Sequence, residues 1–256
     1  MSKKILSCLL ILALLLPVTT AFGATTGDTD IQAQHGRPSF LNTPADADIE
    51  IGEADTALPF LQYKDMPDHW ASYSAGRLAY LGKLVGMQAD NRFFFHPDRG
   101  ITRGDFLIWL CAVLEIEPTT AVSTLYADPD VPQWMVGFLD AATIAGIIEG
   151  TPAADPHRTS YFYPNTPVTR IEAMCMISRI LGTDGHDDHL TDLFSDIEEI
   201  PAWGKNAVRH LAERQIIVGG HGDYLHPNRN LSRAEGAELL YKALKDMVHT
   251  PAPVLS

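Results

Sequence analysis

A chain of 256 residues with 46% hydrophobic and 9% aromatic side chains has enough apolar material for a packed core, as one large domain or two ordinary ones. Its 32 acidic and 19 basic side chains give a formal net charge of −13, which argues against nucleic acid or an anionic membrane surface as a partner. That balance still leaves room for an anion at a local cluster of donors.

In chain order, Lys3 and Lys4 precede an apolar run over residues 5–18, and Ala21-Phe22-Gly23 follows with small residues at the positions of a cleavage site. The pattern predicts a secretory signal peptide, residues 1–23. The run is shorter than the roughly 20 residues needed to cross a bilayer, and no other segment is long and apolar enough to span a membrane. Export without a membrane span is therefore expected. Cleavage removes two lysines and no acid, making the charge −15. Cys111 and Cys175 would then remain, each in an apolar helical pattern that reads as a buried thiol. Residues 24–57, rich in Thr, Ala, Asp and Gly, read as a flexible linker.

Three segments then repeat one pattern: 63–117, 126–182 and 194–248, within repeat boundaries 58–118, 119–182 and 183–248. Each opens with an aromatic residue two before an aspartate (Tyr63 and Asp65, Tyr126 and Asp128, Phe194 and Asp196), and a tryptophan follows: Trp70, Trp134, Trp203. Sixteen residues after each tryptophan stands a glycine: Gly86, Gly150, Gly219. Phe95, Phe162 and Leu225 each lie two before a proline, and six residues past Pro97, Pro164 and Pro227 come Arg103, Arg170 and Arg233.

Between tryptophan and glycine, apolar residues recur as a helical stripe: Ala75, Leu78, Leu84; Leu139, Ala142, Ile148; Val208, Leu211, Ile217. The glycine is expected at the C-terminus of that helix, at positive φ. The aromatic clusters before each proline suit a short extended piece. A second helix is predicted after each arginine, apolar at Leu107, Leu110, Leu114; Met174, Ile177, Leu181; Ala237, Leu240, Leu244. In the first copy residues 106–114 are apolar almost all round, which predicts cover on more than one side, with residues 58–61 as a candidate. A helix pair cannot bury its stripe alone, so the three should share one core. Residues 249–256 read as a frayed tail.

Thr102-Arg103-Gly104-Asp105, Thr169-Arg170-Ile171-Glu172 and Ser232-Arg233-Ala234-Glu235 fit the capping box, which accounts for the hydroxyl and the acid but not the arginine. A cation in the first turn opposes the helix dipole at a cost of a few tenths of a kcal/mol. Three such choices point to a use: a guanidinium beside free N–H groups can hold a carboxylate or phosphate. The alternative is that each arginine pairs with Asp65, Asp128 or Asp196. Each tryptophan reads as a core anchor, with one ring face open in a groove as the functional variant.

These residues resemble the S-layer homology (SLH) domain, whose pattern runs F-x-D, W, a helix ending near G, F-x-P and T-R-x-E. The resemblance implies a mainly α fold: three helix-loop-helix repeats as a pseudo-trimer around a central helical bundle, with ligand grooves between neighbours. It further implies non-covalent binding of a secondary cell-wall polysaccharide, a pyruvylated polymer in the best-understood members, and hence a non-enzymatic cell-surface anchor without a cofactor. By position, Arg103, Arg170 and Arg233 match the carboxylate-binding arginine, and the three tryptophans, aspartates and glycines match groove-forming positions. The first copy departs with Gly104-Asp105 where the family has Ala-Glu. The second has Ile171 and a longer loop containing His157 and Arg158. The third is nearest the family pattern, favouring Arg233.

Two other classes remain in view. A secreted helical scaffold could bind a protein partner, such as another envelope protein, through its repeat surface. A metal-dependent hydrolase finds its best support in His186-Asp187-Asp188-His189, a lone cluster that reads more simply as a polar loop.

Overall fold

The computed structural model describes residues 61–84, 86–89, 92–150, 160–182, 193–218 and 223–249. The expected signal peptide, the linker and the tail from residue 250 lie outside these, as do Gly219, His157, Arg158 and the cluster from His186 to His189.

The described chain is mainly helical, as predicted. Its elements are α1 (Ser72–Tyr80), β1 (Met87–Ala89), β2 (Arg92–Phe94), α2 (Arg103–Leu114), α3 (Gln133–Ile144), α4 (Arg170–Leu181), α5 (Ala202–Glu213) and α6 (Arg233–His249), with a 3-10 turn at Ile197–Glu199 before α5. None of the described helices is long and apolar enough to cross a membrane.

Capping fixes where the second helices start. The Thr102 hydroxyl accepts from the Asp105 N–H at 3.1 Å. At Thr169 and Ser232 the glutamate three residues on also accepts from the cap's own N–H, at 2.8 and 3.0 Å, completing the reciprocal box. In the first copy only the hydroxyl half forms, since Asp105 is one methylene shorter. Pro132 and Pro201 precede α3 and α5, where a fixed φ and no N–H suit a helix start.

All nine residues of the first-helix stripes are buried, and so are the first two of each second-helix set. Leu114, Leu181 and Leu244 pack against the core more peripherally. Cys111 and Cys175 are free and buried, and burial pushes both thiols up to about 11. Helix α2 is covered by α3, α4 and α6 together, which explains its apolar circumference. Of the candidate cover, Leu61 packs against the core, and residues 58–60 lie outside the described residues. Among the described residues the extended piece before proline forms a hairpin only in the first segment, Met87 opposite Phe94 and Ala89 opposite Arg92.

The glycine expectation needs correcting. The first helices end four residues before Gly86 and Gly150, at Gly82 (φ 72°), Gly146 (φ 69°) and, in the third copy, Gln215 (φ 56°). There, backbone N–H groups fold back in the same Schellman pattern: Lys83 to Leu78, Ile147 to Ala142, Ile216 to Leu211. Gly86 and Gly150 are small for a different reason. A Cβ on Gly86 would lie 2.5 Å from the Tyr63 ring, and one on Gly150 would lie 2.7 Å from the Tyr126 ring. The segment's opening aromatic therefore packs directly on its glycine backbone.

Backbone hydrogen bonds tie the three segments in a cycle. Val168 N–H donates to the Ile101 carbonyl, Leu231 to Val168, and Ile101 to Leu231, at 3.0, 2.8 and 3.2 Å. The first two free N–H groups of each second helix follow the same order. Arg103 and Gly104 donate to Thr166 and Pro164, Arg170 and Ile171 to Arg229 and Pro227, and Arg233 and Ala234 to Arg99 and Pro97. Helix N-termini that water or a ligand would otherwise satisfy are thus satisfied by the neighbouring segment.

Side-chain volume is complementary across two of these contacts. Gly104 faces Met135, whose methyl would come within 2.9 Å of an added Cβ; Ile171 instead fills the space over Gly204, 2.5 Å from an added Cβ. Large and small have changed places.

Candidate functional site

The aspartates are gripped by backbone. Asp65 accepts from the N–H groups of Phe95 and His96 at 2.9 and 2.7 Å, Asp128 from Phe162 and Tyr163 at 2.7 Å each, and Asp196 from Leu225 and His226 at 2.8 and 2.6 Å. His96, Tyr163 and His226 sit in the left-handed region, at φ 56°, 58° and 51°, so the carboxylate grip offsets a strained backbone.

The peptide group that each aspartate holds by its N–H turns its carbonyl to an arginine of another segment. Arg233 Nε donates to the Phe95 carbonyl at 2.7 Å, Arg103 Nε to Phe162 at 2.9 Å, and Arg170 Nη1 to Leu225 at 2.7 Å. Aspartate, peptide and arginine thus form one line of polar contacts at every junction. The alternative of a direct pairing with an aspartate is not seen for Arg103 or Arg233 among the described residues: there the carboxylate reaches the arginine through a peptide.

Beyond that contact the guanidinium heads differ. Arg103 Nη1 meets Glu172 at 2.8 Å. Arg170 is 2% exposed and meets the equally buried Glu235 at 2.5 Å, with Arg229 on the same carboxylate oxygen. Burial lowers the Arg170 pKa and Glu235 opposes that shift. The corresponding acid for Arg233 is Asp105, again one methylene short, and among the described residues no carboxylate lies within ion-pair distance of Arg233. Its guanidinium carbon instead lies 4.6 Å over the Trp109 ring and 5.0 Å over Phe95. Burial lowers the Arg233 pKa, with Asp105 the largest opposing influence.

The tryptophans divide. Trp70 is partly buried against the core, but Trp134 and Trp203 are 55% and 61% exposed, so the core-anchor expectation fails for these two. On α3 and α5 the buried stripe begins one residue later, at Met135 and Gly204, which turns the tryptophan outward. Gly86 and Gly150 support the site indirectly, by seating Tyr63 and Tyr126; burial pushes the Tyr63 hydroxyl up to about 12.

Three features were missed in the sequence. Glu172 and Glu235 were read as caps only, and each also receives the neighbouring arginine. Trp109, inside the apolar stretch 106–114, supplies the ring under Arg233. Flanking each buried Phe95, Phe162 or Leu225 is a stacked ring pair, Phe94 with His96, Tyr161 with Tyr163 and Tyr224 with His226, inclined by 17°, 16° and 14°. Their i, i+2 spacing was a readable signal for that pairing. Among the described residues no group of three or more potential metal ligands converges.

Residues 62–107 and 193–237 match the model of the S-layer homology domain, falling in the first and third segments. An amylopullulanase of Thermoanaerobacterium thermosulfurigenes is 29% identical over 72% of this chain and 9% of its own length. An S-layer protein of Bacillus thuringiensis subsp. finitimus is 27% identical over 72% of this chain and 21% of its own. A cellulosome-anchoring protein of Acetivibrio thermocellus is 26% identical over 42% of this chain and 24% of its own. The chain thus spans less than a quarter of each of these relatives.

Proposed function

Because the chain belongs to the S-layer homology domain family, at the cell surface, we propose that it anchors non-covalently to the cell wall by holding an anionic secondary polysaccharide at Arg233. In this reading the middle segment is a third repeat, the cyclic hydrogen bonds run about the axis of a pseudo-trimer, and the role is tethering without catalysis. The similarity to an amylopullulanase covers too little of that enzyme to carry its activity here.

One observation carries the choice of ligand. Arg233 keeps its guanidinium over Trp109 and Phe95 without a carboxylate partner among the described residues, while Arg103 and Arg170 are each neutralised. A partly desolvated guanidinium offers a carboxylate two parallel donors, and the flat ring beneath restricts where it points. A ketal carboxylate, such as the pyruvyl group of a pyruvylated polymer, fits that geometry. The Asp65 grip on the Phe95–His96 peptide holds the arginine in place, so the site is organised before ligand arrives.

The test is co-sedimentation of purified protein with cell-wall sacculi. It should pellet with intact sacculi and stay in solution with sacculi chemically stripped of secondary polymer; equal pelleting with both would sink the reading.

A further inference from the structure

A second place for an anion lies away from the arginine junctions. The first segment contains a cavity of about 580 Å³ between its opening strand of chain, the start of α1 and β2. Such a volume is in the usual range for a small-molecule site. Lys64 and Arg92 both line it, brought together by the hydrogen bond from the Lys64 N–H to the Phe93 carbonyl at 2.8 Å. Neither side chain has a hydrogen bond or ion pair among the described residues. In a chain of net charge −13, two cations lining one cavity with no acidic partner among the described residues is an uncommon use of base.

The pair is specific to this segment. In the common register Lys64 corresponds to Ala127 and Ser195, and Arg92 to Thr159 and Gly222. The hairpin that carries Arg92 is likewise found only here among the described residues. The fold does not require the Lys64 charge, since Ala127 and Ser195 make the corresponding backbone bonds, to Ser160 and Asp223 at 3.1 and 2.7 Å, without it.

The rest of the lining narrows the ligand. Pro67 and Phe93 give an apolar floor, and Gln62 and Ser72 add an amide and a hydroxyl that donate and accept. A bare phosphate would use the two cations and leave floor and amide without a role. A sugar ring with a carboxylate uses all of them: apolar ring face on Pro67 and Phe93, hydroxyls on Gln62 and Ser72, carboxylate on the Arg92 fork and the Lys64 ammonium. We propose that this cavity binds an acidic sugar, as a site distinct from Arg233.

The experiment is an amide NMR titration of the full chain with D-glucuronate, alongside D-glucose and inorganic phosphate. Glucuronate should shift the amides of Gln62, Ser72 and Phe93 saturably, with glucose and phosphate each at least tenfold weaker. The Lys64→Gln/Arg92→Gln variant, altered only at exposed side chains, should keep its spectrum elsewhere and bind glucuronate at least tenfold more weakly. Phosphate saturating the same amides as tightly, undiminished binding by the double variant, shifts centred on Arg233 and Trp109, or no saturation at all would overturn the proposal. Sacculi play no part in this titration, so its failure leaves the polymer reading untouched.

Discussion

Arg170 and Arg233 hold the same position in the same motif, donate to equivalent carbonyls, and end in opposite surroundings. Arg170 closes on Glu235 with both partners 2% exposed, whereas Arg233 lies over Trp109 and Phe95 and reaches no acid among the described residues. The difference traces to one methylene, Glu235 against Asp105 at the third helical position. A motif residue can therefore be a structural tie at one junction and an open binding group at another, and the motif alone does not say which.

The contrast can be broken most severely at Arg170. Arg170→Ala leaves the buried Glu235 with the half-exposed Arg229 in place of its buried cation, and removing one partner of a buried pair typically costs about 3 kcal/mol or more; urea unfolding should register that loss. A cost under about 1 kcal/mol would mean the pair is not the tie described.

Next comes the packing that differs between junctions. Gly204→Ala pushes a methyl onto Ile171 and should cost about 2 kcal/mol by overpacking. Adding Ile171→Ala to it should recover part of that loss, although Ile171→Ala alone destabilises. Simple additivity in the thermal melts would show that the two residues do not share the space.

The mildest change in stability is expected at Asp105. Asp105→Glu supplies the missing methylene, lets the acid reach back to the Thr102 N–H and forward to Arg233, and should stabilise by about 0.5–1 kcal/mol. It should also weaken sedimentation with polymer-bearing sacculi, because the substituted carboxylate competes with the ligand. Higher stability with undiminished sedimentation would separate Arg233 from binding.

Much of the fold was legible because it depends on short-range periodicity. The stripes through Leu78, Leu139 and Val208 and the caps at Thr102, Thr169 and Ser232 rest on spacings within one turn or two, and they form as read except that Thr102 caps by its hydroxyl alone. What could not be read depends on partners far away in the chain. Gly86 matched a helix C-cap by position, but its reason is the Tyr63 ring 23 residues earlier, and the helix ends at Gly82 instead. The arginines could be singled out because capping left them unexplained, yet their partners come from other segments: Phe162 is 59 residues from Arg103, and Phe95 is 138 from Arg233. Trp134 and Trp203 were misread because size favours burial, while the phase of α3 and α5 turns them to solvent.

The central claim is that Arg233 is the group that holds the polymer, and Arg233→Ala tests it most directly. In co-sedimentation with polymer-bearing sacculi the variant should bind at least tenfold more weakly while keeping its helical circular dichroism. Undiminished binding by the folded variant would contradict the account.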